Sequence, residues 1–134
     1  MSQNKPIILL DPYPRTMDLL FSKENLNYLK KNFKLITAPN KNKNNFYEKN
    51  LPKADYIFGQ PNLPSSLISK STKLKAIFNV ESNFMDNMDY DYCFRKGIHV
   101  LATSPVFAQP VAEMAMGLTL SIARSIHIAH SDFI

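Results

Sequence analysis

Leu74-Lys75-Ala76-Ile77-Phe78-Asn79-Val80 is a short, strongly apolar run, too brief for an ordinary helix and rich enough in apolar side chains for a buried strand. Working outward, residues 90–96 read as a helix that stops at Gly97, a residue suited to the left-handed position after a helix end, and residues 98–101 read as another strand. Strand, helix, strand is the signature of a parallel crossover. The same alternation precedes it. Residues 6–10 form an apolar strand, 16–31 an amphipathic helix with Leu19, Leu20, Leu26 and Leu29 inward, 34–37 a strand, 54–58 a strand and 65–69 a short helix after Pro64. Residues 39–52, rich in Asn and Lys and without periodicity, read as a surface loop with at most one turn near Phe46 and Tyr47.

Five strands alternating with helices require a parallel sheet covered on both faces. The expected fold is therefore α/β, a flavodoxin-like three-layer sandwich on a five-stranded parallel sheet over residues 1–104, followed by one long helix within 105–134. Ligands of such sheets gather beyond the carboxyl ends of the strands. Here those ends are Asp11-Pro12-Tyr13, Gly59-Gln60-Pro61, Glu81-Ser82-Asn83-Phe84 and Ala102-Thr103-Ser104-Pro105. The turns at 59–60 and 81–84 are expected side by side.

The 134 residues, 45% of them hydrophobic, suffice for one domain that buries about two thirds of its unfolded surface. Sixteen Lys and Arg against eleven Asp and Glu leave a charge of +5. The excess is spread over lysines interleaved with Asn rather than with stacking aromatics, which reads as a solvated surface and not a nucleic-acid face. A single cysteine, Cys93, excludes an intrachain disulfide and reads as a buried small hydrophobe. With no apolar leader among residues 1–5, a cytoplasmic location is expected. Of residues 109–129, Glu113 and Arg124 bracket only ten, whereas a membrane span needs roughly twenty, so no membrane partner is expected. The apolar positions of this segment cover most of its circumference and should be buried on several sides. Pro110 and Glu113 look like first-turn residues.

The run 74–89, continued by Gly97-Ile98-His99-Val100, Val111-Ala112-Glu113 and Arg124, resembles the first lobe of the D-isomer-specific 2-hydroxyacid dehydrogenases. The resemblance implies an NAD(P)-dependent oxidoreductase acting on the CH–OH group of a D-2-hydroxy acid, or reducing the 2-oxo acid in reverse. It also implies that this chain is the substrate-side part, with the catalytic Arg, Glu and His and the nucleotide-binding lobe beyond Ile134. No catalytic residue is then expected within the chain, nor binding of NAD or NADP by the chain alone. In that family the turn after the fourth strand offers backbone N–H groups to the substrate carboxylate, an anion-binding concavity that needs no charged side chain. On this sequence the turn falls on Glu81, Ser82 and Asn83, with Phe84 beside it. Glu81 and Asn83 replace the usual glycines, and Asn tolerates positive φ.

Glu81 reads either as a hydrogen-bond acceptor turned toward a loop or as a selector of substrates bearing an extra hydroxyl or amine. Gln60 stands where relatives carry an acid-binding Arg, and reads either as a weaker substrate contact or as a solvated turn residue. Both leave the mouth less cationic, which suggests a smaller or less acidic substrate. Thr103 and Ser104 either contact the nicotinamide amide or cap the next turn. The helix 109–130 is expected to form a homodimer. His127, His130 and Asp132 make a weak metal set; the polar rim of a helix end is preferred, and no metal site is expected. A non-catalytic flavodoxin-like binding or dimerisation module is the alternative. A phospho-accepting receiver domain shares the topology, but Gly59-Gln60 and Ala102-Thr103 are not its Asp and Lys.

Overall fold

Four parallel pairings join five strands in the order β2-β1-β3-β4-β5, the flavodoxin-like order, in a computed structural model that describes residues 5–81 and 83–133. The strands are β1 (Ile7–Asp11), β2 (Lys34–Thr37), β3 (Tyr56–Gly59), β4 (Ala76–Phe78) and β5 (His99–Leu101). The chain forms two units, one ending at Ala102 and one beginning at Thr103.

Alternation along the strands sorts side chains onto two faces. Leu9, Ile57, Ile77 and Val100 enter one core with Tyr47, Leu51, Leu63, Ile68, Met88 and Cys93. Burying each large aliphatic side chain contributes roughly 1.5–3 kcal/mol. The other face carries Tyr56, Phe58 and Phe78. Phe58 and Phe78 stack at 4.6 Å, and Phe21 and Phe33 meet Phe58 and Tyr56 edge-on at 5.3 and 6.1 Å. Helices therefore cover both faces, and the three-layer expectation is met.

Three local expectations in the first unit are corrected. The single helix over 16–31 is two helices, α1 (Met17–Leu20) and α2 (Lys23–Asn32). Phe21 between them is extended and sends its ring onto Phe58, while the Ser22 hydroxyl accepts from the Asn25 N–H at 3.2 Å and starts the second helix. The supposed loop 39–52 contains α3 (Lys43–Asn50) and a 3₁₀ turn (Leu51–Lys53). Its polar composition hides a buried anchor, Tyr47 at 1% exposure; tertiary packing overrides weak local propensity. The apolar run 74–80 contributes only three residues to β4, because the chain leaves the ladder at its carboxyl end to build a turn.

The remaining helices are α4 (Ser65–Ile68), α5 (Tyr90–Arg95), α6 (Ser104–Ala123) and α7 (Ile126–Asp132). Gly97 does adopt φ +71°. It lets the Ile98 N–H reach Cys93 O at 2.9 Å and the Gly97 N–H reach Phe94 O at 3.1 Å, the paired bonds of a left-handed helix stop.

In the second unit, the helix expected from 109 to 130 starts five residues earlier and breaks at Ser125, whose φ is 52°. Pro105, not Pro110, occupies the first turn; Pro110 lies inside α6, and the first turn holds no acidic residue. Glu113 instead accepts from Gln109 Nε2 at 2.8 Å. The expected burial on several sides is not found: neither helix has a buried residue. Starting at Ser104, α6 is twenty residues long and includes an eighteen-residue stretch with a mean hydropathy of 1.3, long and apolar enough to cross a membrane by length and composition only. Glu113 lies inside this helix, and Arg124 directly follows its last residue.

Candidate functional site

Three loops converge beyond the carboxyl ends of β1, β3 and β4. The first is set by Asp11, the last residue of β1, which is 3% exposed. Its carboxylate accepts from Lys43 Nζ at 2.6 Å and from the Tyr47 hydroxyl at 3.0 Å. A carboxylate buried this deeply needs both partners. Burial and the neighbouring Asp11 charge push the Tyr47 hydroxyl far above the ordinary tyrosine range, so it remains a donor. Lys43 also lies 5.1 Å from the centroid of the Tyr13 ring, which ties α3 to the loop that follows β1. That loop continues through a cis Tyr13–Pro14 bond to Arg15.

Beside Asp11 runs Gly59, with φ +153°. A β-carbon at this position would lie 2.5 Å from the Asp11 carbonyl oxygen, so only glycine permits the approach of β3 to β1 here. Gln60 follows. Its Nε2 donates to Asn83 O at 2.9 Å and its Oε1 accepts from the Glu81 N–H at 3.1 Å. One side chain thus clasps both flanks of the turn after β4, and the turns at 59–60 and 81–84 are side by side as expected. Ser82, between the clasped residues, lies outside the described residues.

The carboxylate of Glu81 accepts from Arg15 Nε at 3.0 Å and Nη2 at 3.2 Å. This planar pairing puts Glu81 in the first of its two expected roles, an acceptor turned toward a loop. Asn83 does not use positive φ, which among the described non-glycine residues occurs only at Asn42 and Ser125. The exchange of glycine for Asn is therefore unstrained for a different reason than expected. Because Gln60 Oε1 occupies the Glu81 N–H, the concavity has fewer free amides than expected; the Asn83 N–H has no partner among the described residues.

Farther along, the single proton of the Tyr90 hydroxyl is shared between two acceptors, Met85 O at 2.7 Å and Asn87 Oδ1 at 2.9 Å, while the hydroxyl oxygen accepts from the Met85 N–H at 3.1 Å. Asn87 Nδ2 donates to Pro61 O at 2.8 Å. Asp89 caps α5 through the Tyr92 N–H at 2.8 Å. The resulting cleft, ≈ 710 Å³, is lined by Tyr13, Pro14, Gln60, Glu81, Asn83, Met85 and Asn87. A smaller cleft of ≈ 440 Å³ lies on the helical side at Glu48, Pro64 and Lys70, away from the strand ends where ligands of such sheets collect.

Of the residues expected from sequence, Gln60, Glu81 and Asn83 come together. Phe84 does not line the cleft; it is 56% exposed and its ring meets Tyr90 edge-on at 5.2 Å. Thr103 and Ser104 belong to the second unit, and Thr103 precedes α6 without a side-chain cap hydrogen bond. Tyr13, Arg15, Met85 and Asn87 were missed. Tyr13 was visible as a residue after the first strand; nothing local marked Arg15, whose partner is sixty-six positions away. Cys93 is buried in the core as expected, and burial, helped by Asp89, raises its thiol pKa. Among the described residues no three His, Cys, Asp or Glu side chains gather as a metal site.

The residues present do not fit a dinucleotide. The three glycines, Gly59, Gly97 and Gly117, are too far apart in sequence for the glycine-rich strand-to-helix turn that cradles a pyrophosphate.

Residues 15–131 match the model of the D-isomer specific 2-hydroxyacid dehydrogenase catalytic domain. A phosphoglycerate oxidoreductase from Rhizobium etli is similar over 91% of this chain, with 39% identity and a TM-score of 0.73. The PH0520 protein from Pyrococcus horikoshii OT3 is similar in fold over 95%, with 22% identity and a TM-score of 0.69. A D-lactate dehydrogenase from Aquifex aeolicus, solved with NAD and lactic acid, is similar over 86%, with 25% identity and a TM-score of 0.51. The chain spans 38%, 36% and 33% of these three proteins. No curated protein matches it. Through residues 15–131, the chain belongs to the D-isomer specific 2-hydroxyacid dehydrogenases, in their catalytic domain.

Proposed function

We propose that the chain is the substrate-holding part of an NAD(P)-dependent oxidoreductase acting on the CH–OH group of a D-2-hydroxy acid, or on the 2-oxo acid in reverse. The observation that carries this reading is the cleft at the ends of β1, β3 and β4, with the clasped turn 81–83 as one wall. Backbone amides at a strand end suit a carboxylate, and the hydroxyl of Tyr13 and the amides of Gln60 and Asn87 supply neutral polar contacts for a small hydroxy acid. The chain's own task is to bind and orient the acid; the nicotinamide chemistry belongs to a nucleotide-binding lobe. The Aquifex aeolicus relative, a D-lactate dehydrogenase solved with NAD and lactic acid, supports a nicotinamide cofactor and a small hydroxy acid. Exposed Met114, Met116, Leu118, Leu120 and Ile122 on α6 suit a homodimer through this helix; a cytoplasmic location is part of the same proposal.

The test is a titration of the isotope-labelled chain with D-lactate and pyruvate, following backbone amide resonances. Saturable shifts at Gln60, Ser82 and Asn83, absent with acetate, are expected. An unresponsive turn at tens of millimolar acid removes the reading.

A further inference from the structure

The cleft is lined by one acidic side chain, Glu81, and among its described lining residues by no cationic one. Left alone, that carboxylate would repel any acid. It is not left alone: Arg15 covers it with Nε and one N–H of Nη2. A guanidinium carries five N–H donors in a fixed plane, so three remain, directed away from Glu81. Arg15 directly follows Tyr13 and Pro14, both in the cleft wall, and its side chain keeps 51% exposure. The planar group is therefore held at the rim with unspent donors. Lys43, the other cation at this end of the sheet, is committed to Asp11 and the Tyr13 ring.

We propose that Arg15 is the specificity-determining cation of the cleft, receiving a second anionic group carried by the acid away from its C1 carboxylate, and that Glu81 is the residue positioning it. The proposal rests on the reading of the cleft as a 2-hydroxy acid site and narrows it. The Asn83 amide of the turn receives the first carboxylate and leaves Arg15 for a distal carboxylate or phosphate. An exposed Arg loses less freedom on binding when a carboxylate already fixes its plane. Glu81 and Arg15 together are neutral, so the dianion is not repelled. Gln60, by fixing the Glu81 backbone, sets where the pair stands.

The experiment measures dissociation constants of the chain for D-lactate, D-malate and 3-phospho-D-glycerate by amide shifts. The wild-type chain is expected to bind at least one dianion about tenfold more tightly than D-lactate, with the malate and phosphoglycerate arms telling carboxylate from phosphate. R15Q should abolish the preference, and because it uncovers the Glu81 carboxylate it should weaken D-lactate as well, by a smaller factor than the dianions; R15K, which keeps the charge without the fork, should retain part of the preference. E81A separates positioning from repulsion. Loss of the preference supports positioning, whereas equal tightening of all three acids overturns that role. A ratio unchanged in R15Q, or no preference in the wild type while D-lactate binds, overturns the Arg15 assignment alone. No binding of any acid overturns the reading of the cleft, and the assignment with it.

Discussion

Arg15 and Glu81, sixty-six positions apart, join by two nitrogen–oxygen contacts of 3.0 and 3.2 Å and close the gap between the loops after β1 and β4. The pair is partly exposed, at 51% and 28% of the two side chains, so solvent screens it. A double-mutant cycle with R15Q and E81Q in urea is expected to give a coupling of only about 0.2–1 kcal/mol, shrinking with added salt. A coupling of several kcal/mol would mean the pair supports the fold rather than the cleft.

Tyr47 offers a pH test. Burial and Asp11 raise its hydroxyl pKa above the ordinary value, so the folded state favours the neutral form. Its contribution is fully present below the unfolded value of about 10 and is lost as pH rises from there. Unfolding free energy should therefore fall between pH 9 and 11, and Y47F should flatten that fall while costing about 1–3 kcal/mol at neutral pH, because Asp11 loses a donor. An identical slope in Y47F would show that other groups carry the pH dependence.

Gly59 should not tolerate a side chain. Its φ of +153° and the 2.5 Å approach to the Asp11 carbonyl both oppose a β-carbon. G59A is expected to lower the urea midpoint by an amount corresponding to well over 1 kcal/mol, with the largest amide shifts at Asp11 and Gln60. G97A, where no atom lies within 4 Å and only φ +71° objects, should cost about 1 kcal/mol. Equal costs at the two glycines would remove the steric argument.

Leu120 tests self-association. It is 54% exposed on α6, with Met116 and Leu118 nearby at 63% and 59%, an apolar surface larger than scattered residues would make. Sedimentation should find the wild-type chain associated at tens of micromolar and L120K monomeric with its sheet intact. A monomeric wild type contradicts the dimer.

Local rules made much of the fold legible. Short apolar runs marked all five strands within a few residues, because strand burial writes a pattern into neighbouring positions. Gly97 announced a helix stop, since only the backbone conformation mattered there. Boundaries failed where tertiary contact competed. Phe21 left its helix to meet Phe58, and the Lys- and Asn-rich segment 43–50 became helical around buried Tyr47. The length of α6 was misjudged because two prolines, Pro105 and Pro110, offered alternative starts.

By itself, the sequence determined the order of strands and turns, and with it the end of the sheet where Gln60, Glu81 and Asn83 would gather. Periodicity and glycine placement are local, and parallel crossovers leave few alternatives. Only the tertiary structure decided what those residues do. Gln60 became a clasp on the turn, Glu81 a partner of Arg15, Phe84 a neighbour of Tyr90, and Asp11 an anchor for Lys43 and Tyr47. Each of these outcomes depends on which charges and donors come within about 3 Å across distant segments, and no local pattern records such distances.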